Sequence, residues 1–207
     1  MPLPPTYLIF LPERQQQADF ELCYHNIPYI PFKAIHDSQN PARGLRLTMQ
    51  CLFDEAITQG HKDILVFEDD VQLTKDFETS CIKCIEQLPN DYLLFYAGLN
   101  LRHYPRKYSK NLLTLKNGYA THAVMYSYEA MKIILQLLNI PDSDVQNLPY
   151  DVLLQQHLQV STEKCFCAFP LLAGQRSGFS YIQGKEVHYN FGFRFAKMTM
   201  HLRKINR

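Results

Sequence analysis

Short apolar runs alternate along the chain with longer segments in which apolar residues recur every three or four positions. A bounded run of four to eight apolar residues is typical of a strand buried on both faces, and the longer spacing is typical of a helix with one apolar face. The runs predict strands over 6–11, 32–37, 63–69, 91–98, 118–127 and 165–169.

The helical spacing predicts helices over 44–60, 74–88, 128–140 and 149–160. In the first helix Leu45, Met49 and Leu52 fall on one face, and Gly60 ends the pattern. Strands and helices alternate through most of the chain. We therefore predict one α/β domain over 1–207, with an open mixed sheet that is mostly parallel and flanked by helices, and a basic segment over about 191–207.

The composition favours a folded core, since 46% of the 207 residues are hydrophobic and 20% are charged. Lys and Arg number 21 against 20 Asp and Glu, so no overall field attracts nucleic acid, and we expect no such partner. The first residues lack the pattern of a signal peptide, and no run approaches the roughly 20 apolar residues that span a bilayer. We expect a cytoplasmic protein with reduced thiols.

The cysteine spacing raises the question of a zinc site, because Cys81 and Cys84 form a CxxC pair and Cys165 and Cys167 a CxC pair. The first pair falls on the apolar face of the helix predicted over 74–88. The second pair lies within a predicted strand. The pattern therefore favours thiols packed in the core over a metal site.

Three adjacent carboxylates, Glu68, Asp69 and Asp70, directly follow the apolar run 64–67. Like charges at adjacent positions repel one another and resist burial, so stability alone seldom requires them. In an extended chain residues 68 and 70 point to the same side, where two carboxylates can bind one divalent cation. The alternative is an acidic turn before the next helix, where negative charge complements the positive helix end.

Several segments resemble glycosyltransferase family 25, the lipopolysaccharide and procollagen glycosyltransferases. GLRLTMQCLFDEAITQGHKDILVFEDDVQL is similar to the central helix and strand of that family, which end in Glu-Asp-Asp-Val. YLIFLPER resembles its opening strand, and GYATHAVMYSYEAMKIIL its Gly-x-x-Ala-Tyr strand and helix. PYDVLLQQHL and AFPLLAGQRSGFSYIQGKEVHY resemble its late Asp and its closing segment. These segments follow the family order over about residues 6 to 190.

The resemblance implies a GT-A-like fold and a metal-dependent enzyme that binds a nucleotide-diphosphate sugar, a UDP-sugar, with Mn²⁺. It implies transfer of the sugar, with galactose favoured by family habit, to a hydroxyl of a glycan or lipid-linked acceptor with inversion. The chain departs from the family pattern at Phe10, at Thr48-Met49 and at Tyr181, where the family has Asn, Ser-His and Asp.

The resemblance also suggests site residues. The expected metal ligands are Glu68 and Asp70, with His188 as a late ligand or a structural histidine. The expected nucleotide-sugar contacts are Arg14, Asp69, Gln175 and Ser180, of which the loop residues could equally be surface polar groups. Asp151 is the candidate base, although an Asp at the start of a helix also serves as a cap.

Two basic segments suggest partners. The connection over 102–110 interleaves basic residues with tyrosines and suits an acidic glycan or diphosphate, or a solvated loop. The segment over 191–207 suits peripheral contact with an anionic membrane surface, or a helix packed on the domain. Two rival functions stay open: a catalytically silent sugar-nucleotide-binding relative, favoured by Thr48-Met49, and a metal-dependent phosphodiesterase or nuclease.

Overall fold

Strands and helices alternate along the residues that the computed structural model describes, which are 2–101, 105–140, 148–180 and 184–188. The strands are β1 (Thr6–Phe10), β2 (Ile30–Lys33), β3 (Asp63–Glu68), β4 (Val71–Leu73), β5 (Leu94–Leu101), β6 (Arg106–Lys107), β7 (Leu112–Thr114), β8 (Gly118–Ser127), β9 (Cys165–Ala168), β10 (Ala173–Gln175), β11 (Gly178–Ser180) and β12 (Lys185–Val187). The helices are α1 (Gln15–Tyr24), α2 (Pro41–Thr58), α3 (Phe77–Ile85), α4 (Tyr128–Leu138) and α5 (Tyr150–Leu154). A 3-10 turn over Pro12–Arg14 precedes α1, and a π-helical turn over Gln155–Gln159 continues α5.

Eight strands form the main sheet in the order β2–β1–β3–β8–β5–β9–β7–β6. The pairings of β1 with β2, β1 with β3 and β5 with β9 are parallel, and the other four pairings are antiparallel. These pairings reverse only β7 and β8 among the described strands, so six of the eight point in one direction. The predicted fold class, a mixed and mostly parallel sheet flanked by helices, is confirmed.

The sheet is covered on both faces, which is why its strands are continuous apolar runs. In β3 the side chains of Ile64 and Val66 join one buried cluster, which includes residues of α2, α4 and α5. Leu65 and Phe67 join a second cluster, which includes residues of α1 and α3. The two-residue period of the strand thus distributes one apolar segment between two cores.

The helix α1 was not predicted, because its sequence lacks an amphipathic pattern. Only Ala18 and Leu22 of its ten residues are buried. The second strand was predicted over 32–37, whereas β2 lies earlier and pairs with β1 from Ile30 onward. The strands β4, β10, β11 and β12 were too short to give a hydrophobic period. They form two small antiparallel pairs outside the main sheet, β4 with β10 and β11 with β12.

Asn40 caps the start of α2, because its side chain accepts a hydrogen bond from the Arg43 backbone N–H at 3.0 Å. Within it Thr48 is fully buried and binds the loop after β2. Its hydroxyl donates to the Gly44 carbonyl and accepts from the Ile35 backbone N–H, both at 2.8 Å. A Cβ at Gly44 would lie 2.5 Å from the Ile35 carbonyl oxygen, so the close approach of loop and helix requires glycine there.

The described residues that depart from the pattern of the resembled family are Phe10, Thr48 and Met49, and each contributes to the core or to the packing of α2. Met49 and Phe10 are buried in the two apolar clusters, and Thr48 connects α2 with the loop after β2. Tyr181, the segment over 191–207 and part of the basic connection lie outside the described residues. None of the described helices is long and apolar enough to cross a membrane.

We predict that Thr48→Val lowers the free energy of unfolding by about 1–3 kcal/mol, because valine matches the shape of threonine but leaves the Ile35 N–H without an acceptor. Chemical denaturation of the wild type, Thr48→Val and Thr48→Ser tests this. Serine keeps the hydroxyl, so that variant should lose clearly less stability. Equal losses in the two variants would show that the hydroxyl contributes nothing.

Candidate functional site

The carboxyl ends of three strands meet at one edge of the main sheet. β1 ends at Phe10, β3 at Glu68 and β5 at Leu101. Because β8 runs antiparallel to β3 and β5, its first residues lie at this same edge, with Tyr119 paired to Asn100. Ligands of open α/β sheets bind beyond the carboxyl ends of the strands. The acidic run therefore lies where such sheets bind their ligands.

Asp69 is buried and points toward the end of β1. Its Oδ2 accepts a hydrogen bond from the Leu11 backbone N–H at 2.9 Å, and its Oδ1 forms an ion pair with Arg14 Nη1 at 3.2 Å. Burial raises the pKa of Asp69, while the hydrogen bond from Leu11 and the charge of Arg14 lower it. Both oxygens of this carboxylate thus have partners within the protein.

Arg14 connects the acidic run with the hairpin of β11 and β12. Its guanidinium donates through Nη1 to Asp69 and through Nη2 to the carbonyl of Phe179 in β11. Ser180, the next residue, is half-buried, and its carbonyl accepts from the Gly184 N–H at 2.7 Å. The structure therefore brings Arg14, Asp69 and the hairpin that contains Ser180 together.

Glu68 points toward β8 instead, where the hydroxyl of Thr121 donates to Glu68 Oε1. Burial, followed by the negative charge of Asp70, raises the pKa of Glu68 to about 8, although the Thr121 hydrogen bond lowers it. Asp151 also contributes repulsion. Burial and neighbouring negative charges therefore disfavour the ionised form of Glu68, so that its pKa lies near neutral pH.

One carboxylate oxygen of Asp70 has a hydrogen-bond partner within the described residues, and the other has none. Its Oδ2 accepts from Gln175 Nε2 at 3.3 Å, and Gln175 Oε1 in turn accepts from Asn100 Nδ2 at 3.2 Å. The Asn100 amide thereby selects the orientation of the Gln175 amide that presents a donor to Asp70. Among the described residues, Asp70 Oδ1 is buried and has no hydrogen-bond partner.

A buried carboxylate oxygen without a hydrogen-bond partner is energetically unfavourable, so this atom is suited to accept a ligand that brings positive charge or a hydrogen-bond donor. Burial, and then the charge of Asp69, raise the pKa of Asp70 to about 6. The main chain of Asp70 is also fixed, because its carbonyl accepts from the Arg176 N–H at 2.7 Å. Arg176 in turn pairs with Glu21 of α1 at 2.9 Å.

The donor set of Glu68 and Asp70 fits a cation that is shared with a phosphate-bearing ligand. Hard divalent cations prefer oxygen ligands and are often bound by one or two carboxylates together with substrate phosphates. In the described part of the chain, no group of three or more His, Cys, Asp or Glu side chains is arranged to hold a metal alone. His188 follows β12 and is exposed, and its role as a third ligand stays a prediction.

Asp151 lies at the first turn of α5, close enough to Glu68 to raise its pKa. Its Oδ2 accepts from the Ala120 backbone N–H at 3.0 Å and its Oδ1 from the Val152 N–H at 2.9 Å. Asp151 therefore belongs to the edge that carries the acidic run, and its role as base stays a prediction. No sequence pattern indicates the contact with Ala120.

Thr121 and Asn100 are site residues that the sequence did not reveal. Thr121 donates to Glu68, and Asn100 donates to Gln175, which in turn donates to Asp70. Thr121 lies in the strand predicted over 118–127, and Asn100 lies two residues beyond the strand predicted over 91–98. Their place in the site follows from the antiparallel register of β8 with β3 and β5, which brings the start of β8 to the ends of those strands. An interpretation of the chain as parallel βαβ units places the start of β8 at the opposite edge.

The cysteine pairs lie in the core, as predicted. Cys81 and Cys84 are buried on α3, and Cys165 and Cys167 are buried in β9. Burial raises the pKa of all four thiols, to about 12 for Cys84 and Cys165, so they remain protonated at neutral pH. Protonated thiols in apolar surroundings are inert.

No protein-family model and no curated protein matches the chain. Solved structures do match it. The crystal structure of a glycosyltransferase involved in the glycosylation of the major capsid of PBCV-1 aligns with 95% of this chain and 100% of its own, at a TM-score of 0.52 and 12% identity. The structure of A197 from STIV aligns with 90% of this chain and 94% of its own, at a TM-score of 0.46 and 13% identity.

The first of these likenesses concerns the fold. This chain shares the mixed α/β architecture of that viral glycosyltransferase over nearly its whole length. At 12% identity the likeness says nothing of the individual site residues, so the chemistry has to come from the geometry described above.

We predict that stability falls as pH rises from 5 to 8 when divalent cations are removed by EDTA. The raised pKa values of Glu68 and Asp70 mean that the folded state binds protons more tightly than the unfolded chain over this interval, so deprotonation destabilises the fold. Asp70→Asn removes one of the repelling charges. It should raise the melting temperature at pH 8, by about 2–4 °C for each 1 kcal/mol gained in the free energy of unfolding. The increase should be smaller at pH 5, where the carboxylates are more protonated.

Melting curves at both pH values test this, with Asp54→Asn as the matched control. Asp54 is exposed on α2, so the same chemical change there should leave the pH dependence as in the wild type. A melting temperature of Asp70→Asn that falls with pH as steeply as the wild type's would contradict the electrostatic interpretation of Asp70.

Proposed function

We propose that this chain is a metal-dependent glycosyltransferase that moves a sugar from a nucleotide-diphosphate donor to a hydroxyl of a glycan or lipid-linked acceptor, with inversion. The observation that carries the proposal is the Asp70 carboxylate, which has a buried oxygen without a partner beside Glu68 at the ligand-binding edge. The shared fold with a viral glycosyltransferase supports the reaction class. Membership of family 25 and the preference for galactose belong to the proposal.

In this proposal Glu68 and Asp70 hold a divalent cation, Mn²⁺, together with the diphosphate of a UDP-sugar. The bound cation supplies positive charge where the departing nucleoside diphosphate becomes more negative. Gln175 holds the Asp70 carboxylate so that its Oδ1 faces the ligand. The hydrogen bond from Thr121 fixes the orientation of Glu68 in the same way.

Arg14 is the proposed contact to the donor phosphates. Asp69 and the Phe179 carbonyl orient its guanidinium, whose planar fork of donors suits phosphate oxygens. Gln175, which donates to Asp70, and Ser180, which follows the Arg14 partner Phe179, are proposed to contact the nucleotide sugar. Asp69 acts in this arrangement by holding Arg14, since its own oxygens are already bonded.

The acceptor hydroxyl must lose a proton as it attacks the anomeric carbon, and a carboxylate within reach is the simplest base. Asp151 stays the predicted base, and its two backbone hydrogen bonds each leave lone pairs available. If the acceptor is lipid-linked, the basic segment over 191–207 is the part of the chain that would contact an anionic membrane.

We predict that the wild type releases sugar from a UDP-sugar only when Mn²⁺ is present, and that Asp70→Asn abolishes this turnover. A neutral amide oxygen is a much weaker ligand than a carboxylate, so donor binding and turnover should be lost together. Donor hydrolysis over a panel of UDP-sugars, with Mn²⁺ or EDTA, measures the activity. Asp54→Asn is again the control and should keep the activity of the wild type.

The other outcomes separate the rival functions. Mn²⁺-dependent binding of UDP without hydrolysis or transfer would indicate the silent relative. Hydrolysis of a simple phosphodiester, with intact UDP-sugars left over, would indicate the phosphodiesterase. Full turnover in EDTA would remove the cation from the proposal.

A further inference from the structure

Ala120 has a backbone conformation that an alanine rarely adopts. Its φ is +66°, in the left-handed region where the Cβ of an L-residue approaches the following carbonyl oxygen. Such conformations persist where surrounding contacts hold them, and they concentrate at functional sites. Ala120 lies near the start of β8, directly before Thr121, which donates to Glu68.

The strained residue is part of a bulge in β8. Gly98 of β5 pairs with Ala123 and Asn100 with Tyr119, so two steps along β5 correspond to four steps along β8. The two additional residues lie between Tyr119 and Ala123. A bulge bends its strand and changes the direction of the side chains it carries, and bulges are common beside active sites. This bulge contains Thr121.

One helical segment holds the start of β8 at two points. Asp151 Oδ2 accepts from the Ala120 N–H at 3.0 Å. At the end of the π-helical turn, Gln159 Oε1 accepts from the Gly118 N–H at 2.8 Å, and its Nε2 donates to the Gly118 carbonyl at 3.1 Å and to the Tyr96 hydroxyl at 3.0 Å. Gln159 is fully buried, so its end of the contact is fixed.

We propose that Asp151, beside its predicted role as base, is a positioning residue, whose carboxylate holds Ala120 in the left-handed conformation so that the bulge presents the Thr121 hydroxyl to Glu68. Asp151 has the right chemistry for this task, because a carboxylate strengthens a hydrogen bond from a backbone N–H. The effects on Mn²⁺ affinity and on catalysis rest on the proposed function. The effect on conformation does not.

The test uses Ala120→Gly, because glycine adopts positive φ without a steric cost and no longer needs the carboxylate to hold it there. Asp151→Ala and Asp151→Asn are made with and without Ala120→Gly. Asparagine keeps one acceptor oxygen for the Ala120 N–H, so we expect a smaller loss than with alanine. Melting temperature, hydrogen exchange of the Ala120 amide, Mn²⁺ affinity and turnover are measured for each variant.

Asp151→Ala alone should lower the melting temperature and speed exchange of the Ala120 amide. It should also weaken Mn²⁺ binding by about 10-fold, the effect typical of groups that orient a metal ligand. Addition of Ala120→Gly should restore most of the melting temperature and of the Mn²⁺ affinity. Ala123→Gly, a change of the same kind where φ is ordinary, should restore neither.

Two results would overturn the proposal. The first is a loss of melting temperature and of Mn²⁺ affinity in Asp151→Ala that Ala120→Gly does not lessen, which is the behaviour of a simple helix cap. The second is a melting temperature and amide exchange that do not change on removal of the carboxylate. If the wild type shows no transfer but Ala120→Gly still rescues the melting temperature, the proposed function fails and the positioning role of Asp151 stands.

Discussion

Three adjacent carboxylates at the end of a buried strand must be accommodated together, and the site depends on how the fold does this. Glu68, Asp69 and Asp70 repel one another, and burial at the sheet edge raises the pKa of each. The fold separates them by direction: the first is bonded from β8, the second from the end of β1, and the third from β10. Within the described part of the chain, the third has a fully buried oxygen that lacks a hydrogen-bond partner.

This separation follows from the sheet order, in which β3 lies between β1 and β8. The parallel neighbour brings its carboxyl end, and with it the Leu11 N–H and Arg14, to the middle carboxylate. The antiparallel neighbour brings its first residues, and with them Thr121, to Glu68. Removal of either neighbour from its place would leave a buried carboxylate without its partner, so the fold and the site are specified together.

The sequence was sufficient for the central strands, because burial on both faces leaves a continuous apolar run, and for the location of the acidic run at the end of β3. It was not sufficient for α1, whose ten residues bury only Ala18 and Leu22. Nor did it distinguish the three carboxylates. The partner of Asp69 is Arg14, 55 positions earlier, and that contact depends on tertiary structure alone. The left-handed Ala120 was equally hidden, since the usual signal for positive φ is a glycine.

Calorimetric titration of the wild type with UDP, in Mn²⁺ and in EDTA, tests the central claim most directly. The claim is that Glu68 and Asp70 bind a cation jointly with a nucleotide diphosphate. It predicts that Mn²⁺ strengthens UDP binding by at least about 10-fold, a coupling of about 1.4 kcal/mol between the two ligands. Equal affinity for UDP in Mn²⁺ and in EDTA would contradict it.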